Sequence, residues 1–138
     1  VNEDLHAGQW IVSQLESHTS LQVYRDMIPP DAPLPAIRFH VQTANDNRGS
    51  TSPSDRIVTV LDWLIVVVNQ GVSVAKLVPI ADQIDQAMQG ASGQSQDGAV
   101  LILGCTRLEP FSLIEADRYS GVQYRHAGGL YRTIVQPA

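Results

Sequence analysis

The side chains best suited to chemistry in this 138-residue sequence are four histidines, one cysteine and a scatter of carboxylates. His6, His18, His40 and His126 are far apart, with no HExxH-like spacing and no cysteine partner. A metal would need two of them to meet in space, so surface or interface histidines are the default and no cofactor is expected. Cys105, beside Thr106, acts as a nucleophile only if a histidine comes near it. A small, buried, inert thiol is the simpler role. A lone cysteine also excludes an internal disulfide and a thiolate zinc cluster. Asp82 and Asp85 fall on one side of a helix-forming stretch. Such a pair could do acid–base work or bind a cation, but a solvated helix face explains it more simply. Asp62 differs, because it sits in an apolar row and needs water or a partner. Arg38 on the adjacent strand, or an arginine from another subunit, is the expected counter-ion. Gly128-Gly129 lacks the lysine and the spacing of a phosphate loop. No polar cluster converges, and no enzymatic activity is expected.

The composition bounds the partners. Nine basic residues against 14 acidic ones give a net charge of −5, and Lys76 is the single lysine. A phosphate-gripping protein needs a basic stripe, which is missing here. Tight binding to DNA or to an anionic membrane is therefore not expected. The charged fraction of 17% is low beside 43% hydrophobic residues, a balance typical of small chains that hide surface in partners. A single domain spanning residues 1–138 is expected. No basic segment followed by an apolar core opens the sequence, so no signal peptide is expected.

The elements that would position these residues are organised around Ile57 to Val68 (IVTVLDWLIVVV), the longest apolar run. As a strand it is apolar on both faces and must be covered on both. It falls short of the ~20 residues of a membrane-spanning helix and contains Asp62. With few helices available, a second subunit is the expected cover for one face. Asp4 to Ser17 reads as a helix with Leu5, Val12 and Leu15 on its stripe, flanked by Gly8 and Ile11. Trp10 widens that stripe. Gln22 to Asp26 is a short strand, and Pro29, Pro30, Pro33 and Pro35 make a stiff connector. Ala36 to Thr43 alternates as a half-buried strand. Ala44 to Asp55 is wholly polar and reads as a mobile hairpin loop. Ser73 caps a helix from Val74 to Gln89, where Pro79 implies either a start near Leu77 or a kink. A bent strand follows from Ala99 to Ile114, interrupted at Pro110. A last strand runs from Val122 to Val135, bulged at Gly128-Gly129. The expected fold is α+β: an antiparallel or mixed sheet of four to five strands, two helices on one face, and a long projecting β-hairpin.

This order resembles the tail-terminator (tail-completion) proteins of long-tailed bacteriophages, the minor tail protein U-like group. The resemblance rests on the opening helix, Val23-Tyr24, the approach MIPPDAPLPAIRF and the polar hairpin loop. It continues through DRIVTVLDWLIVVV, the helix AKLVPIADQIDQAMQG, the acidic turn with Gly121 and a strand ending Arg132-Thr133-Ile134-Val135. The loop at Ala44–Asp55 and the Gly-Gly pair depart from the usual pattern. The resemblance implies a structural virion protein, assembled in the host cytoplasm and resident in the tail or neck. Its implied form is a homohexameric ring that caps the tail tube, stops polymerisation and meets a head-side connector or stopper. DNA would pass through its lumen transiently, and an acidic wall would suit passage without sticking. No membrane partner is implied. The residues expected at subunit or partner interfaces are Arg38, His40, Arg48, Arg56, Asp62 and Trp63. Two alternatives stand beside this: another neck component, such as a head–tail adaptor or stopper, and a small α+β ligand-binding domain or enzyme using Cys105 or a histidine pair.

Overall fold

The computed structural model describes residues 2–48, 56–71 and 73–138, without the side chains of residues 48, 56 and 57. Within these the order is α1 (Glu3–His18), β1 (Val23–Arg25), β2 (Ala36–Arg48), β3 (Arg56–Gln70), α2 (Val74–Met88), β4 (Gly93–Gln94), β5 (Val100–Ala116) and β6 (Gln123–Pro137). The strands form one mixed six-stranded sheet in the order β1-β2-β3-β6-β5-β4. β1 runs parallel to β2 and every other pair is antiparallel. The expected α+β class holds. β1 falls within the short strand expected from Gln22 to Asp26, and the additional strand is the edge piece β4, too brief to carry a period-2 signal.

Both helices pack on one face of the sheet, and the main core lies between. α1 contributes Ala7, Trp10, Ile11 and Leu15, and α2 contributes Leu77, Ile84, Ala87 and Met88. The sheet answers with Phe39, Leu61, Trp63, Ile65, Tyr131 and Val135. The buried stripe of α1 is thus rotated from the one expected, and Leu5 is left 53% exposed. Trp10 decides this, because burying its ring removes more apolar area from water than burying Leu5. α2 begins at Val74 and continues through Pro79. Pro79 lies past the first turn, so its missing N–H forfeits the helical bond to the Ala75 carbonyl, and the helix runs on without it.

The other face of β3 also carries apolar residues, and the chain covers much of it by itself. Leu64, Val66 and Val68 are buried against Ile28, Phe111, Tyr124 and Leu130. Ile28 reaches them because two parallel neighbours, β1 and β2, need a crossover. The chain turns at Asp26, which adopts φ 68°, and the proline-rich segment returns across the helix-free face. A second subunit is the expected cover for this face; within the single chain Leu64, Val66 and Val68 are already buried, by Ile28 of the proline-rich segment together with Phe111, Tyr124 and Leu130 of the sheet.

The polar stretch expected as a loop from Ala44 is strand as far as Arg48, paired with β3 down to Arg48↔Arg56. Residues 49–55 of that predicted loop lie outside the described residues. Pairing of β3 with β6 begins at Thr59, so among the described residues β2 and β3 continue as a two-stranded arm beyond it. The bulge expected in β6 at Gly128-Gly129 is absent, and β6 pairs with β3 in unbroken register. The register shifts lie instead in the β5–β6 ladder, between Ile102 and Gly104 and between Arg107 and Glu109, and in the β2–β3 ladder, between Val41 and Thr43 and between Asn47 and Arg48. Gly128 serves close approach: a Cβ there would stand 2.0 Å from the Ile65 carbonyl oxygen.

Candidate assembly surface

The side chains singled out in the sequence separate by strand face. Alternation along β2, with one bulge, sends Arg38, His40 and Thr43 to the helix-free face, opposite Val66, Leu64 and Asp62. β6 adds Tyr124, His126, Leu130, Arg132 and Ile134 to that face, opposite Gln70, Val68, Leu64, Asp62 and Val60. Trp63 lies one residue out of phase and faces the helices. It is fully buried, and its indole N–H donates to Thr133 Oγ1 at 3.0 Å. Its ring meets Phe39 with centroids 5.8 Å apart. The Arg25 guanidinium lies 5.4 Å from the Trp63 ring and donates to the Asp4 carbonyl, tying β1 to α1. Trp63 is therefore a core residue, a correction to its expected interface place. Arg48 and Arg56 are placed by their backbones at the far end of the arm, and their side chains lie outside the described residues.

Asp62 has a partner, but Arg38 is not it. Arg132 Nε donates to Asp62 Oδ1 at 2.8 Å and Arg132 Nη2 to Oδ2 at 3.1 Å, while the Thr43 hydroxyl donates to Oδ2 at 3.0 Å. Asp62 and Arg132 are direct cross-strand partners. The Arg132 hydrogen bonds hold the Asp62 carboxyl below the usual carboxylate range, with partial burial opposing and Thr43 assisting. A bidentate fork of this kind fixes geometry as well as charge. The ion pair satisfies the one carboxylate in an apolar row and leaves it no free proton chemistry.

Arg38 Nη1 donates instead to His40 Nδ1 at 3.1 Å. Burial first, and then the Arg38 charge, lower the pKa of His40, with Asp26 opposing. Between the proline strap and the sheet lies an open cleft of about 820 Å³, lined by Asp26, Ile28, Arg38, Glu115, Tyr124 and His126 among others. His126 is 6% exposed, and neither ring nitrogen has a hydrogen-bond partner. Burial and Arg38 lower its pKa and Glu115 opposes them, so the neutral ring is the favoured form.

The remaining candidates do not converge. His6 Nδ1 meets Asp97 Oδ2 at 2.5 Å, and His18 Nδ1 lies 2.9 Å from the carbonyl of Gln14. Among the described residues no group of three His, Cys, Asp or Glu side chains is placed to hold a metal. Cys105 is buried, and burial with nearby Asp85 pushes its thiol up to about 12. Asp85 is not the solvated carboxylate expected from its helix: it accepts from the Tyr131 hydroxyl at 2.9 Å, with Arg107 Nε 3.8 Å away. Asp82 is exposed, so the two do not act as a pair. No helix among the described residues is long and apolar enough to cross a membrane.

The sheet also presents two long edges. β1 covers β2 only at Ile37–Phe39, and β4 covers β5 only at Leu101–Ile102. The end of α2 caps β5 a little further: Gly90 N–H donates to the Cys105 carbonyl, and Gln89 Oε1 accepts from Arg107 N–H. Beyond those points no strand flanks either edge among the described residues. Leu108, Leu113 and Ile114 are 42–53% exposed along β5. Sequence reasoning missed these edges, because strand order is a tertiary property.

No family model and no curated protein matches the sequence. Among solved structures the chain is similar to a chain of the virion of a native gene transfer agent particle. The TM-score is 0.58 at 16% identity, covering 95% of this chain and 97% of that one. At that identity the likeness establishes a shared fold.

Proposed function

We propose that this protein is a structural component of a phage-like virion, a tail terminator that assembles as a homohexameric ring. The ring caps the tail tube, ends its polymerisation and joins it to the head-side neck. The observation that carries this is the fold, shared over nearly the full length of both chains with a component of a gene transfer agent virion. The candidate surface agrees in kind. The carboxylate in its apolar row, Asp62, is held in a fixed pair with Arg132, and its large features are faces and edges suited to protein contact. The negative net charge suits a passage that DNA crosses without adhering.

The test is native mass over a range of concentrations, with negative-stain images, without and with purified tail tubes of the cognate particle. A ring of six, or a cap on tube ends, is the expected result. A monomer that neither self-assembles nor decorates tube ends would overturn the proposal. A twelvefold ring that binds the portal side would move the protein to the adaptor position.

A further inference from the structure

We infer that neighbouring copies join edge to edge, the outer edge of β5 in one copy pairing antiparallel with the outer edge of β2 in the next. The inference rests on the ring function proposed above and assigns its interface.

The backbone shows which groups are on offer. Pro110 has no N–H yet sits within the β5–β6 ladder opposite Gly129. Its nitrogen therefore faces away from β6, as a strand proline requires. Period 2 puts the N–H groups of Ser112, Ile114 and Ala116 on the same outer side. On β2, Ile37 N–H donates to the Gln22 carbonyl and the Phe39 carbonyl accepts from Asp26 N–H, so odd residues face outward there. The bulge between Val41 and Thr43 inverts this phase, and Ala44 points outward beyond it. A long, exposed, partly apolar edge is a template for another strand.

A second copy fits this template for two reasons. First, β2 runs opposite to β3, β3 to β6 and β6 to β5. β2 is therefore antiparallel to β5, and a like-oriented neighbour presents β2 to β5 in the stronger, antiparallel sense. One chain thus carries both halves of a head-to-tail contact, which is what a closed ring of identical subunits needs.

Second, the two free stretches lie at opposite ends of the sheet. Ala44 is level with Leu61, Thr133 and Cys105, where β5 is already capped, whereas Ser112 is level with Ala127, Val67 and Ile37, where β2 is already flanked. Neighbours must therefore be offset along the strand direction. Four long strands at ~4.8 Å span about 19 Å. With the 35–45° tilt typical of closed sheets, the offset per copy is roughly 13–19 Å. At ~3.3 Å per residue that brings about four to six residues of each free edge side by side.

Proline variants test this without touching the internal ladder. Ser112→Pro/Ile114→Pro removes two outward N–H groups of β5, and Ala44→Pro removes one from β2. Circular dichroism and thermal melting establish that each monomer is folded. Sedimentation then reads assembly. Each variant alone is expected to need at least about tenfold more protein to assemble. Mixed, the two variants retain one intact edge of each kind and are expected to stop at a one-to-one dimer. Wild-type-like rings from either folded variant would overturn the edge assignment while leaving the ring intact. Rings lost equally by both variants, with no dimer on mixing, would also overturn it. A wild-type chain that never associates, even on tube ends, would overturn both the assignment and the terminator function.

Discussion

Gly128 offers the sharpest test of the packing described above. A Cβ placed there would meet the Ile65 carbonyl oxygen at 2.0 Å and Val66 Cα at 2.8 Å, both backbone atoms of the central strand. Restoring ordinary contact of ~3.4 Å requires β3 and β6 to part by roughly 1.4 Å. A ladder bond of ~2.9 Å stretched that far is no longer a hydrogen bond. Losing about two such bonds costs ~2 kcal/mol. Loosened packing around fully buried Val66 adds ~1–2 kcal/mol. Gly128→Ala is therefore expected to destabilise the monomer by about 3–4 kcal/mol, a fall in Tm of about 10–15 °C for a domain of this size. Gly129 and Gly104 are the internal controls. At Gly129 the nearest atoms lie 3.1–3.2 Å away and two of the three belong to side chains, and at Gly104 nothing lies within 4 Å. Gly129→Ala should cost ~1 kcal/mol, and Gly104→Ala should be neutral or stabilising by ~0.5 kcal/mol. Urea unfolding of the three variants, at unchanged m value, measures the series. A Gly128→Ala loss below ~1 kcal/mol, or the order reversed, would refute the close approach of β6 to β3.

Three further outcomes follow from the core and the titrating groups. Trp63→Phe removes ring volume and the bond to Thr133, and should cost about 2–3 kcal/mol in urea unfolding; a change under ~0.5 kcal/mol would show that Trp63 is not the packed centre of the core. The Cys105 thiol, raised to about 12 by burial and Asp85, should react with a thiol reagent at neutral pH only as fast as the chain opens, and rapidly in denaturant. His40 and His126 both titrate below their unfolded value of 6.5, so the unfolded chain binds more protons as pH falls below that value. Stability is then expected to drop as pH is lowered through the range just below 6.5 and to level off beneath the folded pKa values. A melting temperature that rises on acidification through that window would contradict the burial of neutral imidazoles.

Much of the architecture is local in origin and was legible in the residues. The two-sided apolar run of β3, the alternation of Ala36 to Val41, the breakers around Gly71 and Gly90, and the long α2 stripe each follow from spacing and propensity. The gap between the expected stripe of α1 and the real one has a single cause. Spacing put Leu5 on the stripe with Trp10 widening it, whereas the fold buries the larger Trp10 ring and leaves Leu5 exposed. Sequence also set the expectations about chemistry, through histidines with no metal spacing, one cysteine and a single lysine.

Tertiary structure decided the pairings. Nothing local says that Asp62 lies opposite Arg132 rather than within reach of Arg38, because cross-strand partners depend on register between segments about seventy residues apart. Nor does composition say that Ile28 of the proline-rich segment packs against the Leu64, Val66 and Val68 cluster, which follows from the parallel placement of the three-residue β1 beside β2. The free edges of β2 and β5 exist for the same reason. A strand's hydrogen-bonding capacity is written in its backbone, identical for every residue except proline, and only the order of strands in the sheet determines which of those groups are left facing outward.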